Sequence, residues 1–275
     1  HLPTGKWLPP ALMSTVDQSH DPELPDLLKT GVLEVEGRLP TASNLTVRCL
    51  VADTQVRCVY KPTSGERPLW DFPDGTLGRR EVATYTLANA LGWSVVPVTV
   101  WREDGPFGPG MCQVWLDDAV AENLVDVVPS DEVPADWFRV FEGVDGQGRE
   151  VSLIHADRPD LMRIALLDAV VNNTDRKGGH VLQDPNSGAV GIDHGVTFAE
   201  EDKLRTVLWG WAGSDIPTDL RSDLRALADR LTDLQLIGIS LDEIQATGRR
   251  LEDLVDSGRF PLPRQEWPAV PWPIF

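Results

Sequence analysis

Residues 171–180 read VNNTDRKGGH, and residues 191–198 read GIDHGVTF. The first stretch gathers Asp175, Arg176, Lys177 and His180 in one loop; the second sets Asp193 and His194 between two glycines. The short apolar runs HVLQ and AVGID between them are joined by DPNSG, a strong turn signal, so the spacing predicts a hairpin directly after the loop. A loop aspartate can accept the proton of an attacking hydroxyl, and an aspartate presented after a hairpin can hold a Mg²⁺ that bridges nucleotide phosphates. Arg176 and Lys177 would offset the charge of a transferring phosphate. A plainer reading of the loop by itself stays open: NNTD as a turn capped by its own Asn and Asp, and KGG as a solvated connection.

Working outward toward the N-terminus, residues 31–118 read as strands: GVLEVEGRL, NLTVRCLVA, TQVRCVYK, SVVPVTVW and MCQVWL. A single helical stretch, RREVATYTLANALG, falls after the third and is stopped by Gly92. Lys61 ends the third strand and Glu81 lies on the helix, the pairing by which a kinase-type fold steadies a lysine that grips phosphate. An exposed lysine at a strand end is the alternative. If Asp53 and Thr54 form the hairpin turn, Cys49 faces Cys58, and Val59 points to the same side as Lys61. The opposite side, with Val47, Cys49, Val51, Val56, Cys58 and Tyr60, is too apolar for open solvent, so residues 1–30, with a short helix around PELPDLLKT, are expected to cover it.

From residue 119 to 275 helical patterns dominate, in ADRPDLMRIALLDAVVNN, TDLRSDLRALADRLTD and LDEIQATGRRLEDLVDSG. The Pro- and Trp-rich end, FPLPRQEWPAVPWPIF, is expected to wrap the surface. Trp209 and Trp211 are read first as core packing, with stacking on an acceptor as the alternative. The fold class expected is α+β: a two-lobed, protein-kinase-like arrangement with an antiparallel-sheet N-lobe carrying one helix and a mainly helical C-lobe.

Bulk composition narrows the partners. With 25 Lys plus Arg against 43 Asp plus Glu, the net charge of −18 repels nucleic acid and anionic lipid surfaces. No apolar run is long enough to span a bilayer, so no integral membrane association is expected. The three cysteines, Cys49, Cys58 and Cys112, lack C-x-x-C spacing and read as buried thiols. A cytoplasmic setting is the expectation.

NNTDRKGGHVL followed by GIDHGVTF resembles the catalytic and metal-binding segments of the phosphatidylinositol 3-/4-kinase superfamily, closest in wording to the type II phosphatidylinositol 4-kinases and to bacterial kinase-like relatives. VYKPTSGERPLWDFPDGTLGRREVATYTLANALGW resembles the lysine strand and helix of that bacterial group, and HipA-type kinases are more distantly similar. The likeness covers residues 31–215. It implies ATP with Mg²⁺ or Mn²⁺, Lys61 on the nucleotide phosphates with Glu81 as its partner, Asp175 as the catalytic-loop acid and Asp193 as the principal metal ligand. Where such families carry Asn, this sequence has His180 as the second metal ligand. Ser43 and Asn44 are the candidates for touching phosphate, and backbone groups of Gln113, Val114 and Trp115 for reading adenine. The acceptor implied is a hydroxyl on a soluble polyol-like molecule or on a protein Ser/Thr, in preference to a membrane lipid. Two further readings remain open at this point: a nucleotide-binding pseudokinase, favoured by His180, and a metal-dependent hydrolase built on His155, His180, His194, Asp175 and Asp193.

Overall fold

The alternation Val47, Cys49, Val51 and Cys58, Tyr60 places every second side chain of two neighbouring strands in one apolar layer. In the computed structural model, which describes residues 22–40, 42–73, 75–117, 119 and 124–275, these strands are β2 (Val47–Val51) and β3 (Arg57–Pro62). Their register pairs Cys49 with Cys58. The turn between them places Asp53 at φ 60°, a left-handed conformation that Asp tolerates better than most residues. With β1 (Leu33–Arg38), β4 (Thr99–Arg102) and β5 (Gly110–Val114) they form an antiparallel five-stranded sheet in the order β1-β2-β3-β5-β4.

Helix α1 (Leu24–Thr30) buries Leu24 and Leu28 against Cys49, Cys58, Tyr60 and Cys112 on one side of that sheet. Its last carbonyls are held by Arg102, which donates to Leu28 O at 2.6 Å and Gly31 O at 2.8 Å, satisfying acceptors a helix end leaves open. The expected covering by residues 1–21 lies outside the described residues. Helix α2 (Leu77–Ala90) packs on β4 and β5. Glu66 caps its first turn by accepting Leu77 N–H at 3.1 Å and Gly78 N–H at 2.9 Å.

The C-terminal part departs from the helical expectation at its start. Strands β6 (Val125–Pro129), β7 (Trp137–Val144) and β8 (Glu150–Ala156) form a second sheet, in the order β6-β8-β7. β7 leaves Phe141 and Val144 exposed while β8 is buried from Leu153 to Ala156, so neither shows clean alternation and hydrophobic periodicity misses both. The local signal was the DGQG turn, in which Asp145 accepts the amides of Gln147 and Arg149 and Gly148 takes φ 80°. Helices α3 (Pro159–Val171), α4 (Thr218–Ala228) and α5 (Leu241–Ser257) then share one large core, and the hairpin of β9 (Val181–Asp184) and β10 (Gly188–Gly191) lies against α3.

The lobes are tied by a buried arginine. Arg80, on α2, donates to Glu243 Oε1 at 2.6 Å and to Thr197 O at 2.6 Å. Glu243 is at once the capping-box residue of α5, its other oxygen accepting Ser240 N–H at 2.8 Å. The helix bearing Glu81 is thereby fixed to the C-terminal lobe.

Candidate active site

Helix α3 ends in Asn172, which takes φ 53° and donates to Ala199 O and Glu201 O. Asn173 closes back on Asp168 and accepts Asp175 N–H at 3.0 Å. The turn reading of NNTD is therefore correct for the two asparagines, and its effect is to aim Asp175 into the cleft between the lobes. Burial raises the Asp175 carboxyl above its ordinary value, against the nearby charges of Lys177, His180 and Arg205. Lys177 Nζ stands 3.6 Å from Asp175 Oδ2.

Asp193 follows β10 in a left-handed conformation, φ 60°, of the sparsely populated kind that concentrates at functional sites. Its Oδ1 accepts Lys61 Nζ at 2.7 Å, and the same ammonium reaches Glu81 Oε1 at 2.8 Å. The Lys61 charge holds the Asp193 carboxyl well below the usual carboxylate range. Burial pushes Glu81 upward, Lys61 only partly compensating. Burial alone would lower the Lys61 ammonium, but Asp193 and Glu81 together drive it above its ordinary value.

These groups line a cleft of about 530 Å³ whose walls include Val59, Gln113, Trp115, Ile192, Ser43, Asn44, Asp175 and His180. Val59 and Lys61 do lie on the same wall. Asn44 Oδ1 accepts Arg67 N–H at 2.9 Å, so this side chain braces the β1–β2 loop. Gln113 donates to Thr99 Oγ1 at 2.8 Å.

Three sequence assignments are corrected by position. Arg176 does not face the cleft: it is fully buried, and all five of its donors are engaged by Asp168, His180 O, Ile192 O and His194 Nε2. Val114 belongs to the N-lobe core, and the amides of Val114 and Trp115 already donate to Val98 O and Arg57 O, so those two amides do not read adenine. His155 is buried apart from the cleft, where its Nε2 accepts Gly210 N–H at 2.9 Å, which dissolves the hydrolase constellation. Trp211 packs against Phe138, His155 and Phe260, as core.

Two side chains of the cleft, His180 and Asp193, could hold a divalent cation, while no group of three or more His, Cys, Asp or Glu side chains placed around one point occurs among the described residues. His180 Nδ1 lies 3.0 Å from Asp175 O, so that nitrogen carries the proton in the neutral ring. Burial lowers the His180 pKa and favours that neutral form. Its Nε2 lone pair then faces Asp193 Oδ2 at 3.4 Å, two electron-pair donors turned toward each other. Glu81 lines the cleft, and its Oε2 is buried without a hydrogen-bond partner among the described residues.

Sequence reasoning missed Glu66 and Arg67, which also line the cleft, and Asp168, the anchor of Arg176. Only Asp168 carried a signal, as a charge inside the apolar run of α3.

This sheet order, the Lys61–Glu81–Asp193 cluster and the loop bearing Asp175 define a protein-kinase-like fold. Solved structures agree. The Golgi casein kinase superposes with TM-score 0.53 at 15% identity, covering 87% of this chain and 78% of that one. Its form with Mn/ADP bound gives 0.52 at 15% identity, covering 86% and 74%. A hydra Fam20 structure with sugar gives 0.51 at 14% identity, covering 85% and 86%. In sequence, the chain is 43% identical over 264 residues to Protein Rv2133c of Mycobacterium tuberculosis, covering 90% of this chain and 94% of that protein, and it belongs to the family of that protein. No family model matches.

Proposed function

We propose that the chain is an ATP-dependent phosphotransferase acting on a hydroxyl acceptor. The observation that carries this reading is the meeting of Lys61, Glu81 and Asp193 from three separate elements at one cleft, with Asp175 on its wall. Desolvating charged groups is costly, and charges perturbed by burial and by one another in a cleft mark a functional-site candidate. The Mn/ADP-bound Golgi casein kinase, of the same fold, supports nucleotide and metal as its ligands. The likeness of both motifs to the phosphatidylinositol 3-/4-kinase superfamily supports the same chemistry. It does not single out a lipid acceptor, since the net charge of −18 works against an anionic membrane surface.

In this reading Lys61 contacts the nucleotide phosphates, and Asp193 with His180 would hold Mg²⁺ or Mn²⁺. The metal supplies charge neutralisation on the phosphates. Ser43 and Asn44 border the phosphates, with Arg67 beside them. The carboxylate of Asp175 takes the proton of the acceptor hydroxyl as its oxygen bonds to the γ-phosphorus; the bond from that phosphorus to the bridging oxygen breaks and ADP leaves. Lys177 offsets charge at the acceptor side.

Incubation with γ-labelled ATP, Mg²⁺ or Mn²⁺ and a cell extract tests the reading. Label is expected on a product other than inorganic phosphate, and lost with Asp175→Asn. Release of phosphate only, unaffected by that substitution, would overturn it.

A further inference from the structure

Gln113 lies on β5 in the middle of the five-stranded sheet, paired across the ladder with Val59 on β3 and with Thr99 on β4. Residues directly opposite one another in a sheet share a face, so these three side chains form one row. Lys61 stands in the next row, two residues farther along β3 and about 7 Å away. Val59, Gln113 and Lys61 all line the cleft.

The orientation of the Gln113 amide is dictated from behind. A threonine hydroxyl has one proton, and that of Thr99 goes to Pro97 O at 2.7 Å. Toward Gln113 the same oxygen can therefore only accept, and it takes Gln113 Nε2–H at 2.8 Å. Thr99 is 1% exposed and Gln113 6%. Turning the amide over would set two acceptors against each other, or draw the hydroxyl proton away from Pro97 O, and either leaves a buried polar group unpaired. The other end of the amide is thus its carbonyl oxygen. Gln113 Oε1 is a pure acceptor, and it has no partner among the described residues.

The cleft has a polar end and an apolar one. Lys61 Nζ meets Asp193 Oδ1 at 2.7 Å. Val59 comes two residues before Lys61 and Ile192 one before Asp193, and both line the cleft together with Trp115. A nucleotide whose phosphates lie at Lys61 has its base among these apolar side chains, beside Gln113. With the amides of Val114 and Trp115 engaged inside the sheet, and with Thr99 Oγ1 and Gln113 Nε2 bonded to each other, Gln113 Oε1 is the polar atom of its row left to meet the edge of a base. An acceptor there matches the exocyclic amino group of a 6-aminopurine, which donates, and opposes the oxygen of a 6-oxopurine, which accepts. In a site shut off from water that mismatch leaves two acceptors unpaired.

We propose that the Gln113 side chain determines which purine the cleft takes, admitting a 6-aminopurine nucleotide and rejecting a 6-oxopurine one, and that Thr99 is its positioning residue. This rests on the phosphotransferase reading and adds to it a discrimination carried by a side chain and the hydroxyl that orients it, in place of the backbone groups expected from the sequence.

The test titrates the full chain with ATP and with ITP, the 6-oxo counterpart, each with Mn²⁺, and takes the ratio of the two Kd values. Wild type should bind ATP about tenfold more tightly or better, the scale of one well-made hydrogen bond in a desolvated site. Gln113→Leu removes the acceptor and should shrink the ratio about tenfold. Thr99→Val keeps the shape but frees the amide to turn and donate, so ATP should weaken while ITP strengthens; a merely structural role for Thr99 would weaken both alike and leave the ratio unmoved. Equal affinity for the two nucleotides in wild type, or an unchanged ratio in Gln113→Leu, would overturn the proposal, and these two measurements decide it even if Thr99→Val does not fold. An unchanged ratio in folded Thr99→Val would overturn the role of Thr99. Binding of neither nucleotide would instead sink the phosphotransferase reading on which the proposal stands.

Discussion

Two charge clusters, one sealed and one open to the cleft, lie side by side and are built on opposite principles. Behind the loop, Arg176 meets Asp168 at 2.8 and 2.9 Å with both residues sealed from solvent, and its remaining donors end on backbone carbonyls and His194. In the cleft, Lys61 joins Glu81 and Asp193, yet Glu81 Oε2 is unpartnered among the described residues and the Asp193 side chain is 48% exposed. A closed cluster fixes geometry; an open one keeps electron pairs and space for a ligand. The sealed pair orients the loop, and the open cluster is the part with capacity for chemistry.

The largest effect should come from breaking the sealed cluster. Removing one partner of a buried ion pair strands the other, so Arg176→Met or Asp168→Ala should cost about 3–5 kcal/mol of stability, seen as a lower denaturation midpoint or loss of soluble protein. Arg80→Met should behave similarly by stranding Glu243. If Arg176→Met folds with wild-type stability, the closed cluster is not the scaffold described.

In the open cluster, stability and function should separate. Asp175→Asn should leave nucleotide-dependent stabilisation intact and reduce transfer by about 10²–10⁴-fold, the usual contribution of a positioned base. Parallel loss of binding and turnover would make Asp175 structural or a metal ligand.

Acid should act on the scaffold through His155. Burial lowers its pKa from an ordinary 6.5 to about 4, so the unfolded chain binds the proton more readily than the folded one. The stabilisation is fully present above the unfolded pKa of about 6.5 and is lost as pH falls toward 4, on the order of 3 kcal/mol in all. Urea melts at pH 7.5 and 5 should differ by less in His155→Gln than in wild type; equal differences would remove His155 from the acid response.

Of the changes considered, exchanging His180 for Asn should have the smallest effect on fold. An imidazole nitrogen suits transition ions better than an amide oxygen, so the ratio of Mn²⁺- to Mg²⁺-supported activity should fall in His180→Asn. An identical ratio would leave His180 only its hydrogen bond to Asp175 O.

The same contrast explains what was legible in the sequence. Strand alternation foretold the partnering of Cys49 with Cys58, and the order lysine strand, helix, loop, hairpin foretold which segments share the cleft, because periodicity and turn chemistry are local. The direction of Arg176 was not legible: Asp175, Arg176 and Lys177 are neighbours in an irregular loop, where no period dictates which side chain turns inward. Nor was it legible that Val114 and Trp115 amides are engaged, since that depends on β4 and β3 pairing on either side of β5. β6 to β8 escaped because strands with one exposed apolar face show no clean alternation.

The most direct test of the central claim is the nucleotide- and metal-dependent change in Tm for wild type and Asp193→Asn. ATP with Mn²⁺ binding to the native state should raise Tm, by about 2.7 kcal/mol of added stability at a hundredfold excess over Kd, and Asp193→Asn should abolish most of the metal-dependent part while still folding. An equal metal-dependent rise in both proteins, or none in wild type, would contradict the assignment of this cleft as a nucleotide and metal site.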